Sequence, residues 1–241
     1  MCSEGDQKEA LEKGEEAFGR IDFAFANAGT FGPLSNLRET SLEDWRLTFD
    51  VNLFGSVITL RECLKKMDKG GAVIFCSSFS ATFNGGYYST NLDYALPYLI
   101  SKHALCGLAR VGTALHKTYN VRTYGLMPAV YESEMSQAAS KHYGLSLQNF
   151  SAGNPVFSCQ PGKVNPIGKM VESLFSGTSK YKVGSNIVCD NNVTLHSKLF
   201  FQYLEDQEGP SFQEILSNAR DEKGEPIHLT QEHVKSIKEQ I

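Results

Sequence analysis

Excess positive charge, long apolar runs and paired cysteines are all missing from this sequence. No run reaches the ~18 apolar residues that a helix needs to cross a bilayer, so no membrane span is predicted. Lys and Arg total 23 against 27 Asp and Glu, for a net charge of −4. With a pI near 5.9, that balance excludes a nucleic-acid binder driven by phosphate contacts. The cysteines Cys2, Cys63, Cys76, Cys106, Cys159 and Cys189 form no CxxC pair and have no zinc-like spacing to histidine. They read as reduced thiols in a cytoplasmic setting. The six histidines include no HExxH and no pair at metal spacing. Gly168-Lys169 fails as a phosphate loop, because Gly162 lies one residue too far upstream and Met170 stands where Ser or Thr is needed. The polar, acidic start MCSEGDQKEALEKGEE does not read as a secretory signal.

What is present is an ordinary globular composition: 241 residues, 41% hydrophobic and 21% charged. Short apolar runs alternate with longer helical patterns. Residues 5–19 predict a polar helix. Ile21 to Ala26 predicts a strand buried on both faces, and Ser41 opens a helical pattern to about Met67 with an N-cap box at Ser41–Asp44. Gly70-Gly71 ends that helix, and strand Ala72 to Cys76 follows. Residues 95–118 predict a helix, Val121 to Leu126 a strand stopped by Pro128, residues 162–175 a helix, and Asn186 to Cys189 a last strand. The alternation implies an α/β fold, a doubly wound parallel sheet in a three-layer αβα sandwich. Residues 1–192 form this domain. Residues 193–241, charged and without a strand pattern, read as a mainly helical C-terminal extension.

In an open parallel sheet, ligands bind beyond the carboxyl ends of the strands. The residues there are Asn27-Ala28-Gly29, Ser77-Ser78, and Pro128-Ala129-Val130-Tyr131-Glu132-Ser133. Tyr98 and Lys102 stand at i and i+4, on one face of the predicted helix 95–118. A YxxxK match alone means little among ten tyrosines. The order of the set carries the weight: Asn-Ala-Gly, Val51-Asn52, Ser-Ser, YxxxK, then Pro-Ala-x-x-x-Ser.

With those residues in hand, the chain from about residue 5 to residue 192 resembles the short-chain dehydrogenase/reductase family. FANAG is similar to the family's NNAG element, VNLFG carries its mid-helix asparagine, FCSSFS its serine segment and YLISK its catalytic helix. LMPAVYESEM resembles its PGxxxTxM loop, and GSNIVCDNN its last strand. The resemblance implies oxidation of an alcohol or reduction of a carbonyl, with NAD or NADP as cofactor. It assigns Tyr98 as acid/base, with Lys102 lowering the tyrosine pKa and holding the nicotinamide ribose. Ser78 would bond the substrate oxygen, and Asn52 would anchor a water. Cofactor contacts fall to Asn27, Ala28, Gly29, Tyr98, Lys102, Pro128, Ala129, Tyr131 and Ser133. The substrate implied is a small alcohol or carbonyl, with no metal. Assembly with further copies is expected through helices 41–67 and 95–118.

The family's TGxxxGxG pyrophosphate turn does not occur in this sequence, nor does the residue that selects NAD from NADP. The expectation is therefore a chain with the catalytic half of the fold, weak in cofactor binding, whose segment Ile21 to Ala26 becomes an exposed edge. The alternative is an inactive fragment or interaction module that binds no cofactor. Ala129 for glycine, Ser133 for threonine and Asn191-Asn192 for Gly-Gly are smaller departures. The insertion around Asn84-Gly85-Gly86-Tyr87-Tyr88, together with residues 134–160, is expected to shape the substrate pocket.

Overall fold

Helix α1 (Glu4–Phe18) starts where the Ser3 hydroxyl accepts from Asp6 N–H and stops at Gly19, whose φ of 85° suits glycine. The computed structural model describes residues 3–82, 95–142, 146–147 and 161–189. Strand β1 (Phe23–Ala26) follows α1, and α2 (Leu42–Phe49) opens with the expected capping box between Ser41 and Asp44. The single helix expected over 41–67 is three pieces: α2, a π-helical turn at Asp50–Phe54, and α3 (Gly55–Lys66). Strand β2 (Gly71–Cys76) and a 3₁₀ turn at Phe79–Thr82 come next. The helix expected over 95–118 divides into α4 (Leu96–Arg110) and α5 (Gly112–Tyr119). Strand β3 (Val121–Pro128) includes Pro128 rather than stopping before it. Helix α6 (Glu134–His142), which the sequence pattern did not announce, precedes α7 (Val164–Ser176) and β4 (Asn186–Cys189).

The four strands are parallel and lie in chain order, β1-β2-β3-β4. Side chains alternate across the sheet with the strand period of two. On one face Val73, Phe75 and Val121 pack with Leu60, Cys63, Met67, Leu105 and Ala109, so α3 and α4 cover it. On the other face Ile74, Tyr124, Leu126 and Ile187 pack with Leu174, Met170 and Val171 of α7. The result is the expected three-layer αβα arrangement. Its central strands β2 and β3 are covered on both sides, which accounts for their near-continuous apolar runs.

The expectation of burial on both faces fails at β1. Phe23 is 47% exposed and only Ala26 is buried, because β1 sits at one edge of the described sheet. Phe23 instead stacks on Phe175 of α7, with ring centroids 4.9 Å apart. Helix α1 buries no residue and is tied down by polar contacts: Gln7 Nε2 donates to Gly55 O at 3.1 Å, and Thr59 Oγ1 donates to Gln7 Oε1 at 2.7 Å. Among the described residues no helix is long and apolar enough to cross a membrane. The extension 193–241 lies outside the described residues.

The break between α4 and α5 falls where the chain meets β3. Gly112 is pressed against β3, and a Cβ there would lie 1.6 Å from Thr123 Oγ1 and 2.9 Å from Thr123 Cβ. Gly107, one turn earlier, faces open space. Gly112→Ala should therefore cost about 1–3 kcal/mol through overpacking. Gly107→Ala should stabilise by about 0.5–1 kcal/mol through helix propensity. Urea denaturation of the two variants beside the parent checks the contrast.

Candidate active site

Parallel pairing brings the carboxyl ends of β1, β2 and β3 to one edge of the sheet. There a cavity of about 360 Å³ opens. Asn27, Gly29, Ser78, Tyr98, Lys102, Pro128, Ala129, Tyr131 and Ser133 line it, as their positions after the strands led one to expect. Ala28 and Asn52 do not line it. The sequence reading passed over Phe31, Ser80, Val164 and Ile167, which do. Met135 and Ser136 come from the 134–160 segment expected to shape the pocket, while the 84–88 loop lies outside the described residues.

Tyr98 sits in the first turn of α4, which Pro97 starts. Its ring leans on Phe31 with centroids 4.6 Å apart and planes tilted by 47°. Its hydroxyl stands beside the side chains of Ser78 and Ser80, which line the same cavity. Lys102 lies one turn on, with Nζ 5.5 Å from the Tyr98 ring centroid. Its ammonium is 3% exposed and donates to Cys76 O at 2.7 Å, so it is anchored on the end of β2. The sequence expectation that Lys102 lowers the tyrosine pKa is corrected here. Burial pushes the Tyr98 phenol up to about 12, opposed by the side chains of Ser78 and Ser80. Burial also pulls the Lys102 ammonium below its ordinary value. Desolvation is the largest cause at both groups.

The structure separates the two serines. Ser77 Oγ donates to Lys102 O at 2.7 Å and lies 3.2 Å from Cys106 Sγ, so it ties β2 to the interior of α4. Ser78 Oγ faces Tyr98 and Ser80. Between them, Ser78 is the one beside the phenol.

Asn52 is wholly buried in the π-helical turn. Its Nδ2 donates to Thr30 O and to Ser101 Oγ, each at 2.9 Å, and its Oδ1 accepts from Thr30 N–H at 2.8 Å. The amide thus clamps the loop after β1 to α4. Gly29 closes the cluster. A Cβ there would lie 3.2 Å from Lys102 Nζ and 3.3 Å from Asn52 Oδ1.

The loop after β3 is built by its own residues. Tyr131 donates its hydroxyl to Cys189 O at 2.9 Å and bridges to Gly162, where a Cβ would lie 2.3 Å from the tyrosine ring. Ser133 Oγ accepts from Ser136 N–H at 3.2 Å, while Ser133 N–H donates to Ser136 Oγ at 3.1 Å, a reciprocal cap on α6. Ala129 has an ordinary negative φ, so alanine is accommodated where the family has glycine.

Comparison with known proteins agrees with the α/β fold. A family model described as enoyl-(acyl carrier protein) reductase matches residues 1–194. Short chain dehydrogenase/reductase astE of Aspergillus oryzae is 27% identical over 181 residues, 75% of this chain and 67% of that protein. Xanthoxin dehydrogenase of Arabidopsis thaliana is 27% identical over 207 residues, 82% of this chain and 70% of that protein. Gluconate 5-dehydrogenase from Burkholderia cenocepacia, solved in complex with NADP and tartrate, superposes with a TM-score of 0.67 at 21% identity, over 80% of this chain and 72% of that one. NADPH-dependent 3-quinuclidinone reductase from Rhodotorula rubra gives 0.65 at 26% identity, over 80% and 69%.

The buried amide of Asn52 generates a stability prediction. Asn52→Ala leaves the Thr30 N–H and C=O without their side-chain partner, removes the N–H that Ser101 Oγ accepts, and should cost about 1–3 kcal/mol. Asn52→Asp keeps the acceptor but loses the donor, and should also destabilise the protein. Denaturant titration of both variants measures the loss.

Proposed function

The chain belongs to the short-chain dehydrogenase/reductase family, and from that premise we propose that it interconverts an alcohol and a carbonyl by hydride transfer, using NAD or NADP. The observation that carries the reading is the meeting of the Tyr98 and Ser78 hydroxyls in one cavity that also holds the buried Lys102 ammonium.

The residues present fit the nicotinamide end of such a cofactor. Glycine at position 29 keeps the backbone close to Lys102 Nζ and leaves no side chain in the way. The loop from Pro128 to Ser133 borders the same cavity, so Asn27, Gly29, Lys102 and that loop would hold the group. A bound nicotinamide dinucleotide supplies or accepts the hydride. Tyr98 gives its phenolic proton to the substrate oxygen in reduction and recovers one in oxidation. Ser78 donates a hydrogen bond to that oxygen as its negative charge develops. Lys102, one helical turn on with its Nζ held on Cys76 O, would hold the nicotinamide ribose. Phe31, Val130 and Met135 give the cavity apolar walls that exclude water from the transfer.

Free cysteines at 63, 76, 106 and 189 support a reducing, cytoplasmic setting. Exposed Leu47, Phe54 and Ile100 on the two long helical segments support assembly with a second copy.

The test is turnover of a carbonyl and alcohol panel with NADH, NADPH and their oxidised forms. Activity is expected in the parent, and a loss of at least about 100-fold in Tyr98→Phe. A folded parent without turnover would instead favour the non-catalytic module. The pH dependence follows from the raised phenol. Below about pH 12 Tyr98 carries its proton, which reduction needs, so reduction should be nearly flat from pH 6 to 9. Oxidation needs the phenolate, so its rate should rise about tenfold per pH unit over that range.

A further inference from the structure

Ser80 has no part in the sequence reading of the site, yet its side chain is 3% exposed and borders the cavity. The 3₁₀ turn places it there. Phe79 is wholly buried, and the flanking Ser78 and Ser80 both border the cavity. Ser80 N–H donates to Ser78 Oγ at 3.2 Å, the two serine hydroxyls bond to each other, and both side chains line the cavity beside the Tyr98 hydroxyl, where they favour the phenolate. Three hydroxyl groups thus stand in a triangle, with one backbone N–H feeding into it.

We infer that Ser80 is a positioning residue for proton transfer by Tyr98: it holds the tyrosine oxygen and orients Ser78, leaving the Ser78 proton for the substrate oxygen. The inference rests on the function proposed above.

A count of hydrogens supports it. Each serine has one proton to donate and two lone pairs. In the neutral site the tyrosine proton and the two serine protons satisfy the triangle. In reduction the carbonyl oxygen takes the Tyr98 proton, and the former O–H electron pair stays on the phenolate, which can then only accept. Two anionic or partly anionic oxygens, phenolate and substrate, then compete for donors. With Ser80 present, its hydroxyl serves the phenolate and Ser78 serves the substrate. Without it, the single Ser78 proton must serve both. Among the described residues, the ionisable groups facing Tyr98 are Lys102 on the same helix, whose Nζ is held on Cys76 O, and Cys76 at the end of β2. Phe31 packs on the ring and has no proton to give.

The test reads Tyr98 ionisation without requiring turnover. Difluorotyrosine incorporated at position 98 lowers the intrinsic pKa into a range where the fold survives, and ¹⁹F NMR follows its titration. Relative to the parent, Ser80→Ala should raise the midpoint by about one pH unit, the loss of one hydrogen bond to a charged oxygen. Ser80→Thr should restore it, because the hydroxyl returns. If Ser80→Ala fails to fold by circular dichroism, Ser80→Cys keeps the volume with a weaker donor and should also raise the midpoint. An unchanged midpoint in a folded Ser80→Ala or Ser80→Cys protein, or a Ser80→Thr protein as shifted as Ser80→Ala, overturns the inference. A raised midpoint in a chain with no turnover would refute the proposed function alone and leave the role of Ser80 in holding the phenol standing. Turnover with no shift would refute only the role of Ser80.

Discussion

The parallel register of β2 against β3, from Gly71 opposite Val121 to Cys76 opposite Leu126, is the constraint on which the rest depends. Both strands are buried on both faces, so a slip of one residue would turn Val73 and Phe75 away from α3 and α4 and set Ile74 in their place. Fixing that register fixes where each strand ends. Ser77-Ser78 and Pro128 to Ser133 then emerge at the same edge, and α4 crosses behind them with Tyr98 and Lys102.

The site is polar and deeply buried, which is costly unless its groups are bonded. Nearly every one is. Lys102 is anchored on Cys76 O, Ser77 on Lys102 O, Ser101 on Tyr98 O, and Asn52 on Thr30 and Ser101. Asn186 Oδ1 is the buried side-chain oxygen without a hydrogen-bond partner among the described residues. This network joins the loop after β1, the end of β2 and the first turns of α4 into one unit. A site held in this way is organised before a substrate arrives, which is what charge stabilisation in a transition state requires.

The strands and most helices were legible in the sequence because their apolar periods are strong and their caps are explicit. Ser41 to Asp44 is the clearest case, since a capping box depends only on residues three apart. The breaks within helices were not legible. The π-helical turn at Asp50–Phe54 carries Asn52, buried and bonded to a loop 22 residues away and to α4 49 residues away. The interruption before Gly112 comes from contact with Thr123 on β3. Neither cause is local, so neither leaves a local signature. Helix α6 was missed for a related reason: its cap is a Ser133–Ser136 exchange, and its stretch EMSQAASKH holds Met135 as its one large apolar residue.

The sequence by itself determined the order of the strands and the parallel α/β class, because apolar periods are local, and the resemblance of its motifs to the family singled out Ser78, Tyr98 and Lys102 as a set. Tertiary structure alone decided the rest. It gave Ser77 to helix packing and Ser78 to the phenol, turned Asn52 into a clamp, and set Ser80 against Tyr98. It also reversed the expected shift of the tyrosine, because desolvation depends on everything packed around a group and not on the neighbour one turn away.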